Sequence, residues 1–230
     1  MTGINQNLAA VKETISKTAK SCDKDPDDIL LIGVSKKKSV QLIRQAIDAG
    51  LDNLGENYIQ EAMEKIDAIG QDAATWHFIG HLQSNKARFA VQYFDFIHTV
   101  DTLKLAKEID KQAQKNAKCQ NILLQVNIAM EDTKSGAGKE AAVDLAQKIM
   151  GFENISLQGL MCMPPYFDDP EDARIYFKQL VQIREEILAA GVDPGAMAQL
   201  SMGMSNDYMV AIQEGATMVR VGTAIFGSRM

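Results

Sequence analysis

Leu30-Leu31-Ile32-Gly33-Val34-Ser35-Lys36 is the stretch on which the fold turns. Its first five residues are almost wholly apolar, with branched side chains at most positions, and Asp23-Lys24-Asp25-Pro26 upstream has the composition of a turn. A short apolar run bounded in this way predicts a buried strand. Side chains alternate along a strand, so Leu30, Ile32, Val34 and Lys36 share one face. A lysine in phase with three apolar residues has two readings. Either it snorkels to water from the strand's end, or it is held, partly desolvated, at the mouth of a site. There a neutral fraction of the amine can attack a carbonyl. Lys37 and Lys38 follow and read as solvated loop charges.

Outward from this strand, helical and extended patterns alternate along the whole chain. Leu8, Val11 and Ile15 predict a helix over residues 5–20, and a helix over 39–50, closed by Gly50, follows the strand. Further strands are expected at 51–57, 75–81, 96–100, 121–128, 155–163, 199–202 and 218–221. Helical segments separate them, through Ile59, Met63 and Ile66, over 85–93, through Leu103, Ala106 and Ile109, and over 140–150, 171–190 and 207–214. No linker or composition break interrupts the series, so residues 1–230 read as a single domain. Strands alternating with helices imply a parallel sheet, and eight such units suggest a closed (β/α)₈ TIM barrel. The last strand lacks a long helix behind it, a place the N-terminal helix can take. The alternative, a doubly wound open sheet, lacks its glycine fingerprint, because Gly33 stands alone after the first strand.

Composition narrows the function. A net charge of −6 over 230 residues argues against a general nucleic-acid binder, and 46% hydrophobic content is ample for a core. Cys22, Cys119 and Cys162 lie far apart, lack metal-ligand spacing and are odd in number, which suits a reducing compartment. No basic segment followed by an apolar run opens the sequence, and no stretch reaches the roughly 18 apolar residues of a membrane span. A soluble cytoplasmic protein is expected.

Barrels of this kind work at the C-terminal ends of their strands. Those ends carry Lys36, Asn57, His81, the Lys134-Ser135-Gly136 loop, Ser201-Met202-Gly203-Met204-Ser205 and Arg220-Val221-Gly222-Thr223. The last two groups follow strands seven and eight, where small residues let backbone N–H groups approach an anion and hydroxyls add donors. Arg220 is in phase with Met218 and Gly222, and is either an in-facing functional residue or half of a surface ion pair. Asn57 either lines the site or caps the helix beginning near Tyr58. His81 shares a face with His77 and Ile79, where a structural histidine is the plainer reading. Met197, Met202, Met204 and Met209 read as core or pocket lining. A lysine amine, a phosphate cradle and an in-facing arginine together suggest pyridoxal 5′-phosphate, which needs a Schiff-base lysine, a phosphate anchor and a partner for its pyridine nitrogen.

The motifs carry a resemblance as well. Val34-Ser35-Lys36, Gly55-Glu56-Asn57-Tyr58, and His77-Phe78-Ile79-Gly80 with Leu82-Gln83-Ser84-Asn85-Lys86 resemble, in order, the first three motifs of the pyridoxal-phosphate homeostasis proteins. Leu200-Ser201-Met202-Gly203-Met204-Ser205 and Arg220-Val221-Gly222-Thr223-Ala224-Ile225-Phe226-Gly227 resemble the last two. The resemblance spans nearly the whole chain. One departure is Ser39, where many members have proline, which bears on the stiffness of the loop and leaves Lys36 in place. The resemblance implies a barrel like the N-terminal domain of alanine racemase. It implies a cytosolic protein that holds the cofactor on Lys36 and buffers or delivers it, to apo pyridoxal-phosphate enzymes among others, with no established catalytic turnover. By motif, Ser201, Gly222 and Thr223 would hold the phosphate, Arg220 would face the pyridine nitrogen, and Asn57 and Met202 would line the ring pocket. His81 is not carried over, since members vary there.

Two other functions compete with the carrier. A small amino-acid racemase, or another pyridoxal-phosphate enzyme, would need a second acid–base group opposite Lys36, for which His81 is the candidate at the strand ends. A barrel binding some other phosphorylated metabolite would use Lys36 as a plain counter-charge.

Overall fold

The computed structural model describes residues 3–129 and 136–227. Eight strands follow one another in chain order: β1 Leu30–Val34, β2 Asn53–Glu56, β3 Thr75–Phe78, β4 Phe96–Val100, β5 Gln120–Gln125, β6 Ile155–Met161, β7 Gln199–Met204 and β8 Met218–Val221. Each pairs in parallel with the next, and β8 pairs with β1, so the sheet closes into a barrel. The expected barrel is present. Some strands stop early because the apolar pattern runs on into residues that have left the ladder; β3 ends at Phe78, and Ile79 beyond it lines a cavity.

The helices are α1 Ile4–Lys20, α2 Val40–Asp48, α3 Ile59–Ile69, α4 Ala87–Tyr93, α5 Leu103–Lys115, α6 Lys139–Ile149, α7 Arg174–Ala189, α8 Tyr208–Gln213 and α9 Thr223–Phe226. The last is one turn long, and α1 packs against α8, α9 and α2, taking the open place in the outer ring. It does so through Leu8, Val11 and Ile15, all buried. Ser39, the departure from proline, caps α2, its Oγ accepting from the Leu42 N–H at 3.3 Å, which a proline could not do. None of the described helices is long and apolar enough to cross a membrane.

Two cores result. The outer one lies between sheet and helices and includes Leu54, Trp76, Phe78, Ile97 and Leu124. The inner one plugs the barrel with Ile32, Leu123, Met161 and Met218, against which Leu30 and Phe96 pack. Leu30 and Ile32 on this inner face are the phase predicted for Lys36.

A bulge interrupts the alternation on β7. Ser201 stands opposite Met218, and Met204 opposite Arg220, so three steps on β7 face two on β8. Gly203 sits within it at φ +87, and a Cβ there would lie 2.6 Å from the Ala211 Cβ and 2.9 Å from the Tyr208 Cα. Only glycine fits that conformation and that space. Met202 alternates outward from Ser201 into the helix-facing core, and the extra residue turns Met204 toward the cavity.

A buried ionic cluster holds the chain after β1. Lys65 of α3 donates from Nζ to the Ser35 carbonyl at 2.8 Å, to Glu56 Oε1 at 2.6 Å and to Glu61 Oε1 at 2.6 Å. Ser35 Oγ donates to the same Glu56 oxygen at 2.7 Å, and the Lys37 N–H donates to Glu61. Glu56 is fully buried, and burial raises its pKa against the lowering pull of Lys65 and Ser35. Replacing Lys65 by Met therefore leaves a buried carboxylate without its cation and costs about 3–5 kcal/mol at neutral pH. A group that holds its proton more tightly folded than unfolded contributes stability below the ordinary carboxylate range, and that stability is lost as pH rises through the folded value. Losing Lys65 raises the folded value further. Urea unfolding of wild type and Lys65→Met is thus expected to show the largest gap at neutral pH and a narrower one near pH 5.

Candidate functional site

The C-terminal ends of the strands surround a cavity of about 520 Å³. Val34, Lys36, Asn57 and Ile79 line it from the ends of β1, β2 and β3, and Met163, Tyr166 and Phe167 from the segment after β6. Met204, Ser205, Asn206 and Asp207 follow β7, and Arg220, Gly222 and Thr223 complete the wall from β8. This is within the usual size of small-molecule sites, with an apolar lining and a few convergent polar groups.

Lys36 reaches the cavity because β1 ends at Val34 with its inward phase intact and Ser35 is pinned by Lys65 and Glu56. It is half-buried, between the two readings its pattern allowed, and it faces the cavity. The two lysines after it go elsewhere. Lys37 is exposed at φ 60, whereas Lys38 is half-buried and donates from Nζ to the Phe226 and Gly227 carbonyls at 3.2 and 3.0 Å. The expectation of a solvated charge therefore fails for Lys38, which ties the β1 loop to the end of α9.

Asn57 does not cap α3; the position before that helix is Tyr58, with no side-chain cap bond. The Oδ1 of Asn57 is buried and has no hydrogen-bond partner among the described residues, while the residue faces the cavity. An orphaned buried acceptor of this kind awaits a donor from outside the chain.

Arg220 is 3% exposed and forms part of the cavity wall. One terminal nitrogen, Nη1, donates to Ser201 Oγ at 2.6 Å, and Nη2 donates to the Cys162 carbonyl at 2.9 Å. Among the described residues no carboxylate stands within ion-pair distance of it. Burial lowers its pKa from the ordinary arginine value, opposed by Asp207. The Cys162 thiol is itself pushed up to about 12 by burial, so it is neutral. Asp207 accepts from the Met204 N–H at 2.6 Å, and burial raises its pKa. The surface ion pair is not what Arg220 makes.

The expected phosphate residues divide. Gly222 and Thr223 reach the cavity, and the Gly222 N–H donates to Ser205 Oγ at 3.1 Å. A Cβ at Gly222 would come within 3.3 Å of the Val34 Cβ, so the loop lies close against β1. Ser201 is fully buried below the cavity floor, its hydroxyl engaged with Arg220 and, at 2.9 Å, with His98 Nδ1. Met202 is fully buried in the outer core. The structure does not bring these two to the cavity: Ser201 faces inward a layer below it, in register with Met218, Met202 alternates outward from Ser201, and the bulge at Gly203 brings Met204 to the wall. Gly203 within Ser201–Ser205 was the available signal, since a lone glycine in a strand often marks a bulge.

His81 is exposed and does not line the cavity, whereas Tyr166 does, 75% exposed at its mouth. Of the methionines, Met197 and Met202 are core, Met204 is cavity lining and Met209 is 40% exposed. Lys134 and Ser135 lie outside the described residues. His98, engaged with Ser201, was not singled out in the sequence; it sits in the apolar run Phe96-Ile97-His98-Thr99-Val100, in phase with Phe96.

Comparison with known proteins agrees with this geometry. Residues 6–230 match the family model for the N-terminal domain of alanine racemase. The chain is 39% identical over 224 residues to the pyridoxal phosphate homeostasis protein of Aquifex aeolicus, covering 97% of each. It is 40% identical over 235 residues to the protein of that name from Escherichia coli K12, covering all of this chain and 98% of the relative. The structure of PipY from Synechococcus elongatus with pyridoxal phosphate bound superposes with a TM-score of 0.86 at 32% identity, over 97% of this chain and 100% of PipY. With a barrel of this topology and full-length matches on both sides, the chain belongs to the pyridoxal phosphate homeostasis protein family.

Proposed function

We propose that the chain binds pyridoxal 5′-phosphate in the cavity at the strand ends, through Lys36, and buffers or delivers it as a carrier. The observation that carries this reading is a buried guanidinium, without a carboxylate partner among the described residues, facing the same cavity as a strand-end lysine. The names of the relatives and the ligand bound to PipY support it.

The residues fit the group. Pyridoxal phosphate supplies an aldehyde with which a primary amine condenses, losing water, and which hydrolysis returns. Lys36 provides the amine, on a loop held from both sides. Arg220 can only donate hydrogen bonds, so a ring nitrogen facing it remains unprotonated and the ring a weak electron sink. That favours storage over transamination. Gly222, Thr223 and Ser205 offer the donors for a phosphate. Because Ser205 Oγ already accepts from the Gly222 N–H, its own proton is left to donate into the cavity. Asn57 and Met204 flank the ring position.

The carrier reading also requires that no second acid–base group be poised opposite Lys36. Of the titratable cavity residues, Arg220 is a permanent donor, and Asp207 is committed to the Met204 N–H. Tyr166 remains, largely exposed at the mouth, and it replaces His81 as the residue to watch. Cytoplasmic localisation and transfer to apo enzymes are parts of the same proposal.

Purified Lys36→Ala is expected to lose the visible absorbance of lysine-bound cofactor and all borohydride-fixed label, whereas Lys37→Ala and Lys38→Ala keep both. Label appearing at another lysine would overturn the assignment. Chiral analysis after incubation of the loaded protein with L-alanine is expected to show no enzyme-like racemisation. Racemisation lost in Tyr166→Phe would make this a small racemase.

The phosphate position is tested separately. Ser205→Ala combined with Thr223→Ala removes two neutral donors, each worth roughly 0.5–1.5 kcal/mol, and is expected to weaken retention between about fivefold and a hundredfold. Equilibrium dialysis of the folded double variant measures this, and unchanged affinity would move the phosphate elsewhere.

A further inference from the structure

Beneath Arg220 the inside of the barrel carries a continuous line of polar side chains. Ser201 Oγ lies 2.6 Å from Arg220 Nη1 and 2.9 Å from His98 Nδ1. His98 Nε2 lies 2.9 Å from His77 Nδ1, and His77 Nε2 lies 3.0 Å from Asn53 Oδ1. His77, His98 and Ser201 are each fully buried. The chain runs from the cavity floor to the opposite end of the barrel, where Asn53 lines a second cavity with Asp52, Lys12 and Asp27.

The two ends fix the direction of every bond between them. Arg220 only donates, and Asn53 Oδ1 only accepts. His77 must then carry its proton on Nε2, which leaves Nδ1 as an acceptor and requires His98 to donate from Nε2. His98 Nδ1 is thereby an acceptor for the Ser201 O–H, and the Ser201 lone pairs are left to receive Arg220. One arrangement satisfies all four bonds with both imidazoles neutral. With the Asn53 amide turned over, the order reverses, and Ser201 receives two donors and has no acceptor for its own proton among its described bonds. Burial agrees with neutral rings. It lowers His77 to about 3 and holds His98 well below the ordinary histidine value, with His77 and Arg220 adding to the effect on His98.

We propose that Asn53, His77, His98 and Ser201 are positioning residues: a one-directional hydrogen-bond chain, anchored at the far end of the barrel, that locks Arg220 as a fixed donor into the cavity. The consequence for the ligand rests on the pyridoxal-phosphate reading above; the chain itself does not. A structural role alone requires only that the polar groups be satisfied. The relay requires a stated tautomer at each histidine, and a response at His98 to a change at Asn53, which it does not touch.

The test begins with the apo protein, labelled with ¹⁵N in its histidine rings. At neutral pH both His77 and His98 are expected as neutral Nε2–H tautomers, with a through-hydrogen-bond coupling from His98 Nε2–H to His77 Nδ1. An Nδ1–H tautomer or an imidazolium at either residue would overturn the relay. In Asn53→Leu the terminal acceptor is gone, and His98 is expected to show a mixture of tautomers; an unchanged His98 spectrum in the folded variant counts against the proposal. The wild-type spectrum decides the directionality even if that variant fails to fold. A second arm uses pyridoxal phosphate labelled with ¹⁵N in the ring. The ring nitrogen is expected to be unprotonated, and Ser201→Ala to weaken retention roughly two- to twelvefold. Unchanged affinity in folded Ser201→Ala would remove the positioning role. Correct tautomers with no binding of pyridoxal phosphate would instead refute the function proposed above and leave the relay standing.

Discussion

A guanidinium enclosed in a barrel with no carboxylate of the described residues within ion-pair distance constrains everything around it. Arginine does not shed its proton under ordinary conditions, so its desolvation must be offset by acceptors rather than by neutralisation. Here Ser201 Oγ and the Cys162 carbonyl take two of its nitrogens, and Asp207 lowers the local potential. A serine used in this way needs an acceptor for its own proton, which brings in His98, and His98 in turn brings in His77 and Asn53. One half of the barrel interior is polar as a result. The other half keeps the apolar plug of Ile32, Leu123, Met161 and Met218. Both halves are dense, as a barrel of eight strands demands. What the acceptors leave uncompensated is a positive charge turned toward the cavity.

The barrel was legible because its evidence is repeated eight times. Each strand is a short apolar run closed by turn residues, and an error of two or three residues at any one end changes nothing about the alternation. The direction in which Lys36 and Arg220 point was legible for a related reason: both extend a strand whose inward phase is marked by apolar neighbours. Ser201 and Met202 came into the expected site by motif resemblance, which says nothing of depth along the strand: Ser201 lies a layer below the cavity, Met202 faces outward, and the bulge at Gly203 turns Met204 in. His98 escaped notice because its partners, Ser201 and His77, are distant in sequence or lie on another strand. A hydrogen-bond chain across a barrel has no local signature.

Three consecutive lysines show the same limit at single-residue scale. Lys36, Lys37 and Lys38 are chemically identical and adjacent, yet one enters the cavity, one faces water and one fastens the loop to α9. Backbone geometry separates them. Lys37 takes a left-handed conformation at φ 60, a reversal that lets Lys36 and Lys38 part company. Its N–H is held by Glu61, which also receives Lys65. The cluster of Glu56, Glu61 and Lys65 is therefore less a source of net stability, which buried ion pairs seldom provide, than a way of holding one loop in one register.

The bulge at Gly203 joins these separate devices. By adding one residue before Met204, it leaves Ser201 in the interior layer, where it receives Arg220, and carries Ser205 up to the loop that meets Gly222. Without the extra residue the position in register with Arg220 would be Gly203, and Met204 would turn outward. The places of Met204 and Ser205 on the cavity wall beside Arg220 and Gly222 are thus set by one backbone irregularity, across a single pair of strands. Beside β8, β1 holds Ile32 in register with Arg220 and runs on to Lys36 at the cavity. The backbone spacing of Lys36 and Arg220 is then set by strand pairing, and the approach of Ser205 to Gly222 by the bulge. The grouping of an amine, a guanidinium and hydroxyl donors around one cavity follows from two ladders and one inserted residue.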